Sequence, residues 1–208
     1  MPVTINGDGS ITGLSAGGLP AGSVTDATIA GMSASKLSGA LPAISGANLT
    51  GLSSGLSMAD QWRLSDTGSE FNGNFTSHWE RCDSYGFGQL GTGMTESSGV
   101  FTFPSTGIYR IDAQGSSKRT DNITIPEIDL VIQSTTDNSN YNALSMSTGH
   151  IGGANNSYAV AYCSAIFDVT NVSTHKIKLY CNASNPTNFR GNTNTTRTGL
   201  MFLRLGDT

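Results

Sequence analysis

Every Phe, Tyr and Trp of this chain lies at or beyond Trp62, and residues 1 to 61 contain none. The same opening segment carries only four charges in its first 60 residues, Asp8, Asp26, Lys36 and Asp60. Its isolated Leu and Ile residues are separated by Gly, Ser and Ala, so alone it buries too little apolar surface to offset the backbone entropy of ordering it. Such a segment needs a partner surface or copies of itself. We therefore divide the 208 residues into an extended, mostly irregular N-terminal arm, 1–59, and a domain, 60–208. Within the arm, Thr12-Gly13-Leu14-Ser15 returns as Thr50-Gly51-Leu52-Ser53 and Leu19-Pro20-Ala21 as Leu41-Pro42-Ala43, at a spacing too irregular for a solenoid. Val3, Ile5, Ile11, Leu14, Leu19, Ile29, Leu37, Leu41 and Leu49 are the side chains expected to fill small pockets on a foreign surface and anchor the arm. A short helix is expected over Asp26 to Leu37, with Thr25 or Asp26 as its N-cap.

From Trp62 onward the apolar pattern has period two. Tyr109, Ile111 and Ala113 share one face of a strand; Ile128, Leu130 and Ile132 alternate with Asp129 and Gln133. Ala161, Cys163, Ala165, Phe167 and Val169 alternate with Ser164 and Asp168, and Ile177, Leu179 and Cys181 with Lys176, Lys178 and Tyr180. Val100 to Pro104 and Ile108 to Ala113, joined by Ser-Thr-Gly, read as a hairpin. Gly199 to Leu205 forms the closing strand. Many short strands, turn-rich connections and no amphipathic helix imply an all-β antiparallel sandwich or jelly roll. Phe101, Phe103, Tyr109, Ile111, Phe167, Leu200 and Phe202 are its expected core and subunit-interface residues. Asp112, Asp129 and Asp168 fall at outward strand positions, where solvation is expected over an ion pair between subunits.

Chemistry-bearing motifs are weak. Gly13 to Gly17 and Gly51 to Gly55 match G-x-S-x-G, but neither sits between a strand and a helix of an α/β sheet, so a hydrolase is not expected. Gly86 to Gly91 matches G-x-G-x-x-G without a following helix and reads as a turn. His78, His150 and His175 lack metal-ligand spacing and are expected to be exposed or capping, so no metal site, cofactor or catalytic residue is assigned. Cys82, Cys163 and Cys181 are expected as reduced structural thiols. Charged residues are 12% of the chain against about 25% ordinarily, and 11 basic against 15 acidic residues give −4, which offers no footprint for nucleic acid. No apolar run is long enough for a membrane span, and MPVTINGDGS has no leader character, so synthesis in a cytosol is expected.

Gly99-Val100-Phe101-Thr102-Phe103-Pro104-Ser105-Thr106-Gly107-Ile108-Tyr109-Arg110-Ile111 resembles the G-x-F-x-x-P-x-x-G-x-Y-x-F signature of the jelly roll shared by complement globular heads and tumour necrosis factor. Ile111 departs from it where an aromatic is commoner, and the metal-binding and receptor-binding loops have no counterpart. The resemblance implies a homotrimeric knob. The stretch Gly39 to Leu52 resembles the linkers that precede trimeric heads in virion proteins of tailed bacteriophages, and Val3 to Gly13 is similar to N-termini of cyanophage structural proteins. Together these imply a non-enzymatic virion structural protein, assembled in the host bacterial cytoplasm. The expected form is a trimeric capsid-decorating or cement knob whose arm binds the major capsid protein or tail proteins. A short tail fibre, or a receptor- or carbohydrate-binding virion protein touching a host-surface glycan through the loops Asn138 to Asn142 and Asn185 to Asn194, is the alternative.

Overall fold

The computed structural model describes residues 4–5, 7–8, 11–12, 55–66, 72–119, 121–154, 156–185 and 187–208. The chain divides into two compact units, Met1–Gly51 and Leu52–Thr208. In the first, β1 (Thr4–Ile5) and β2 (Ile11–Thr12) pair antiparallel, Thr4 opposite Thr12 and Ile5 opposite Ile11, with a turn at Gly7 and Asp8. The helix expected over Asp26 to Leu37 lies outside the described residues, as do Val3, Leu14, Leu19, Ile29, Leu37, Leu41 and Leu49.

The second unit is the expected all-β jelly roll. Its strands are β3 (Met58–Leu64), β4 (Gly73–Asn74), β5 (Trp79–Arg81), β6 (Thr95–Ser97), β7 (Val100–Thr102), β8 (Gly107–Lys118), β9 (Ile125–Thr135), β10 (Asn142–Ile151), β11 (Tyr158–Val169), β12 (Lys176–Ala183), β13 (Asn188–Phe189) and β14 (Gly199–Gly206). One antiparallel sheet has the order β10-β9-β12-β7-β6, with β4 added to β12; the other has β11-β8-β14-β3-β5, with β13 added to β8. The sandwich begins at Met58, which is buried, two residues ahead of the boundary drawn from composition.

Period-two strands pack their apolar faces between the two sheets. Ile128, Leu130, Ile132, Ile177, Leu179 and Cys181 come from the first sheet and Tyr109, Ile111, Ala113, Cys163, Phe167, Leu200 and Phe202 from the second, all buried. Aromatic rings join the layers: Phe101 meets Phe202 at 5.5 Å between centroids, and Phe103 meets Tyr109 at 4.6 Å and Phe167 at 5.9 Å. Trp62 and Trp79, both half-buried, meet Phe101 edge-on at 5.6 and 5.0 Å and pack against this core.

The hairpin expected between Val100–Pro104 and Ile108–Ala113 does not form. β7 pairs with β6 and β12, whereas β8 pairs with β11, β13 and β14 in the opposite sheet. The two stretches face each other across the core, because Phe101 and Phe103 meet Tyr109 and Phe202 only when their strands lie in different layers. The chain turns the corner at Gly107, whose φ of 145° favours glycine, and the Tyr109 hydroxyl donates back to the Ser105 carbonyl at 3.0 Å. The true hairpin lies one strand earlier, where Ser97 opposes Val100 around Ser98 and Gly99 with φ of 51° and 80°. Both central residues at positive φ define the turn whose twist suits a tight hairpin.

Candidate association face

The inner faces of both sheets are used by the core, so the surfaces left for function are their outer faces and the loops. On β11 the outward positions are not those of a solvated strand. Tyr158, Val160, Tyr162 and Ile166 are exposed at 51%, 73%, 53% and 66%, on the face opposite Ala161, Cys163, Phe167 and Val169. Strand β11 is therefore apolar on both sides, and it is an edge strand, paired only with β8. An apolar, exposed strand is the feature that monomeric β-proteins suppress with charge, Pro or a bulge; the twelve-residue register with β8 holds neither Pro nor bulge, and its one charge, Asp168, stands near the end of the strand.

The cross-strand register continues this face over the sheet. Ile166 opposes Arg110, which opposes Leu203, which opposes Ala59; Ser164 opposes Asp112, which opposes Met201, which opposes Gln61. Asp112 stands near the middle. It was expected to be solvated, yet it is only 4% exposed. An outward position on a central strand is roofed by its neighbours: the Tyr162 hydroxyl donates to Asp112 Oδ1 at 2.5 Å and Arg110 Nε donates to the same oxygen at 3.1 Å. The bond to Asp112 pushes the Tyr162 phenol and the Arg110 guanidinium above their ordinary values. Beside it opens a cavity of about 100 Å³ lined by Gln61, Asp112, Gln114, Tyr162, Thr196 and Met201, among others.

Asp129 corrects the same expectation on the other sheet. It is 4% exposed, flanked in register by Thr148 and Asn182, whose side chains donate to its two oxygens at 2.6 and 3.1 Å. Asp168 is exposed as expected. His175 is buried rather than exposed, its ring nitrogens facing Thr170 Oγ1 and Thr174 Oγ1 at 3.3 and 3.0 Å and its ring packed on Phe167. Cys82, Cys163 and Cys181 are free and buried. Among the described residues no group of three or more His, Cys, Asp or Glu could hold a metal ion, and Tyr85-Gly86 is a turn. Of the G-x-S-x-G matches only Gly55 falls within the described residues.

All seven residues assigned to core or interface lie in the core of the single chain: Phe101, Phe103, Tyr109, Ile111, Phe167, Leu200 and Phe202 are each at most 8% exposed. Alternation picks out the inward residues of a strand and does not by itself mark an outward face as functional. The available signal was that Tyr158, Val160, Tyr162 and Ile166 occupy the complementary positions, where a half-buried strand carries polar residues. Of the anchoring set only Ile5 and Ile11 fall within the described residues, as Cα partners in the β1–β2 register.

No protein-family model and no curated protein matches the chain. Solved structures do. Murine APRIL at pH 8.0 superposes with a TM-score of 0.51 at 14% identity, covering 71% of this chain and 98% of its own. Eiger TNF from S. frugiperda gives a TM-score of 0.53 at 11% identity, covering 74% of this chain and 95% of its own. What the chain shares with them is a fold, the jelly roll of two antiparallel sheets that the strand order here describes.

Proposed function

We propose that this chain is a non-enzymatic structural subunit of a tailed-bacteriophage virion, a homotrimeric jelly-roll knob that decorates or cements the capsid and is fastened there by its N-terminal arm. The observation that carries the self-association is the row Tyr158, Val160, Tyr162 and Ile166 on the outer face of an edge strand. Burying these side chains against another copy removes apolar surface from water at about 25 cal/mol per Å². Three copies close a ring without leaving the face open. The arm supports the virion placement through its phage-linker resemblance and its scarcity of charge. A short tail fibre is the second placement. Its support is the loop after β9, which Asp137 fixes by accepting from Thr135, Asn140 and the backbone of Ser139, a polar surface ordered before any glycan arrives.

Light scattering of the full chain over a micromolar concentration series tests the association. A mass of three chains is expected, with Val160→Glu combined with Ile166→Glu giving a folded monomer. A wild-type chain of monomer mass, or a charged variant that remains trimeric, overturns the assignment of the face.

A further inference from the structure

The centre of the association face carries an unmet hydrogen-bonding demand. Asp112 Oδ1 accepts from Tyr162 and Arg110, but Oδ2 makes no hydrogen bond; Arg110 Nε lies 3.0 Å away and is aligned with Oδ1 instead. Among the described residues it is the one buried side-chain nitrogen or oxygen without a hydrogen bond. The carboxylate lines the cavity of about 100 Å³, whose other polar walls leave Oδ2 without a donor. The Gln114 amide donates to the Thr196 carbonyl at 2.7 Å, and the Gln61 amide reaches only the Met201 sulfur at 3.7 Å. By contrast Asp60, equally buried, is fully engaged by Trp62 Nε1, Arg81 and the Met94 amide at 2.8 to 3.2 Å.

In an isolated chain, water can enter this cavity, which has room for about three molecules at ~30 Å³ each. Covering the face with another copy restricts that supply, and a carboxylate oxygen left without a donor in an apolar interface is costly. A covering copy that brings a donor of its own meets this demand directly. Arg63, Arg81, Arg110, Arg119 and Arg204 are in ion pairs, Lys118, Lys178 and Arg190 lie over tyrosine rings, and Lys176 donates to the Val172 carbonyl. Arg197 alone among the described Lys and Arg residues has neither ion pair, hydrogen bond nor ring contact. It is half-buried and follows Thr196, a wall of the cavity.

Resting on the self-association reading, we propose that Arg197 of a neighbouring copy donates its guanidinium to Asp112 Oδ2. In a closed ring every copy gives one Arg197 and receives one at Asp112, so both unmet groups are satisfied at each interface. A planar fork of donors suits a carboxylate whose other oxygen is already held. The pair then fixes register, since a slip of the apolar row would leave Asp112 Oδ2 without a donor and Arg197 without an acceptor.

The test is sedimentation and light scattering of the full chain at several concentrations. Arg197→Ala breaks no bond within its own chain and carries the test; it is expected to raise the dissociation constant on the order of tenfold to a hundredfold while leaving the near-ultraviolet circular dichroism unchanged. Asp112→Asn should weaken association similarly, and the double variant should be no weaker than the worse single one. An associating wild type with Arg197→Ala unchanged overturns the pairing and leaves the face intact. Strictly additive losses in the double variant also overturn it, since Arg197 would then act elsewhere. A monomeric wild type overturns the association reading itself.

Discussion

Cys163 and Cys181 face the core from opposite sheets, and burial pushes their thiols up to about 11 and about 12. A thiol that stays protonated when folded but ionises near its ordinary value when unfolded makes the unfolded state the stronger acid. Stability is then unaffected below pH 9 and falls as pH climbs from there towards the folded values, by at most about 1.4 kcal/mol per pH unit for each thiol. Thermal melts between pH 8 and 10.5 under reducing conditions should show this decline, and Cys181→Ala should flatten part of it. A melting temperature constant over that range would show that the thiols are hydrated in the folded chain. The aspartates teach a related lesson: Asp112, Asp129 and Asp168 have the same place in the alternation, yet the first two are buried. What separates them is their neighbours on adjacent strands, such as Thr148 and Asn182 beside Asp129, which a strand read in isolation does not contain.

At the scale of the element, the β6–β7 hairpin and β11 show what a strand needs beyond its pattern. Ser98 and Gly99 both hold positive φ, and a Cβ on Gly99 would stand 2.1 Å from the Phe75 carbonyl oxygen. Gly99→Ala should therefore cost about 1–3 kcal/mol from backbone strain, and more from the clash, measured as a lowered urea midpoint. Ser98→Gly, which relieves a left-handed conformation, should be neutral or slightly stabilising. Equal effects at the two positions would mean that the turn adopts another geometry. In β11 the inward set Ala161, Cys163, Phe167 and Val169 is plain from spacing, but the same spacing says nothing of what Tyr158, Val160, Tyr162 and Ile166 do on the outward side. Place in the sheet and exposure, which the spacing does not contain, single out that outward set as an apolar surface.

For the whole molecule, the division between Gly51 and Leu52 delimits a second unit whose described residues form one apolar core. Residues 52–208 should fold alone with the thermal stability of the full chain, whereas a cut inside β3 should not, because Met58 is buried and pairs with Arg204. If the arm is the anchor, the truncated knob should retain its trimer but be lost from reconstituted particles, and Ile5→Asp, Leu14→Asp or Leu19→Asp should each weaken docking by a few kcal/mol. Three arms acting together soften single substitutions, so they should be combined. Docking should depend little on salt, given the few charges in the arm. Full retention of the truncated knob on particles would place the anchor in the jelly roll.

The sequence by itself determined the compositional break, the all-β class and the inward face of each long strand, because aromatic content and period-two alternation are local properties of the chain. It also carried the corner motif Phe101 to Tyr109, though read as a hairpin. Only the tertiary structure decided which sheet each strand joins, that Asp112 and Asp129 are roofed, and that Tyr158, Val160, Tyr162 and Ile166 line an exposed edge. These depend on side chains brought together from distant positions, as Gln61, Asp112, Ser164 and Met201 are in a single cross-strand row. Alternation along one strand specifies a face, whereas what covers that face is set by the strands packed beside it.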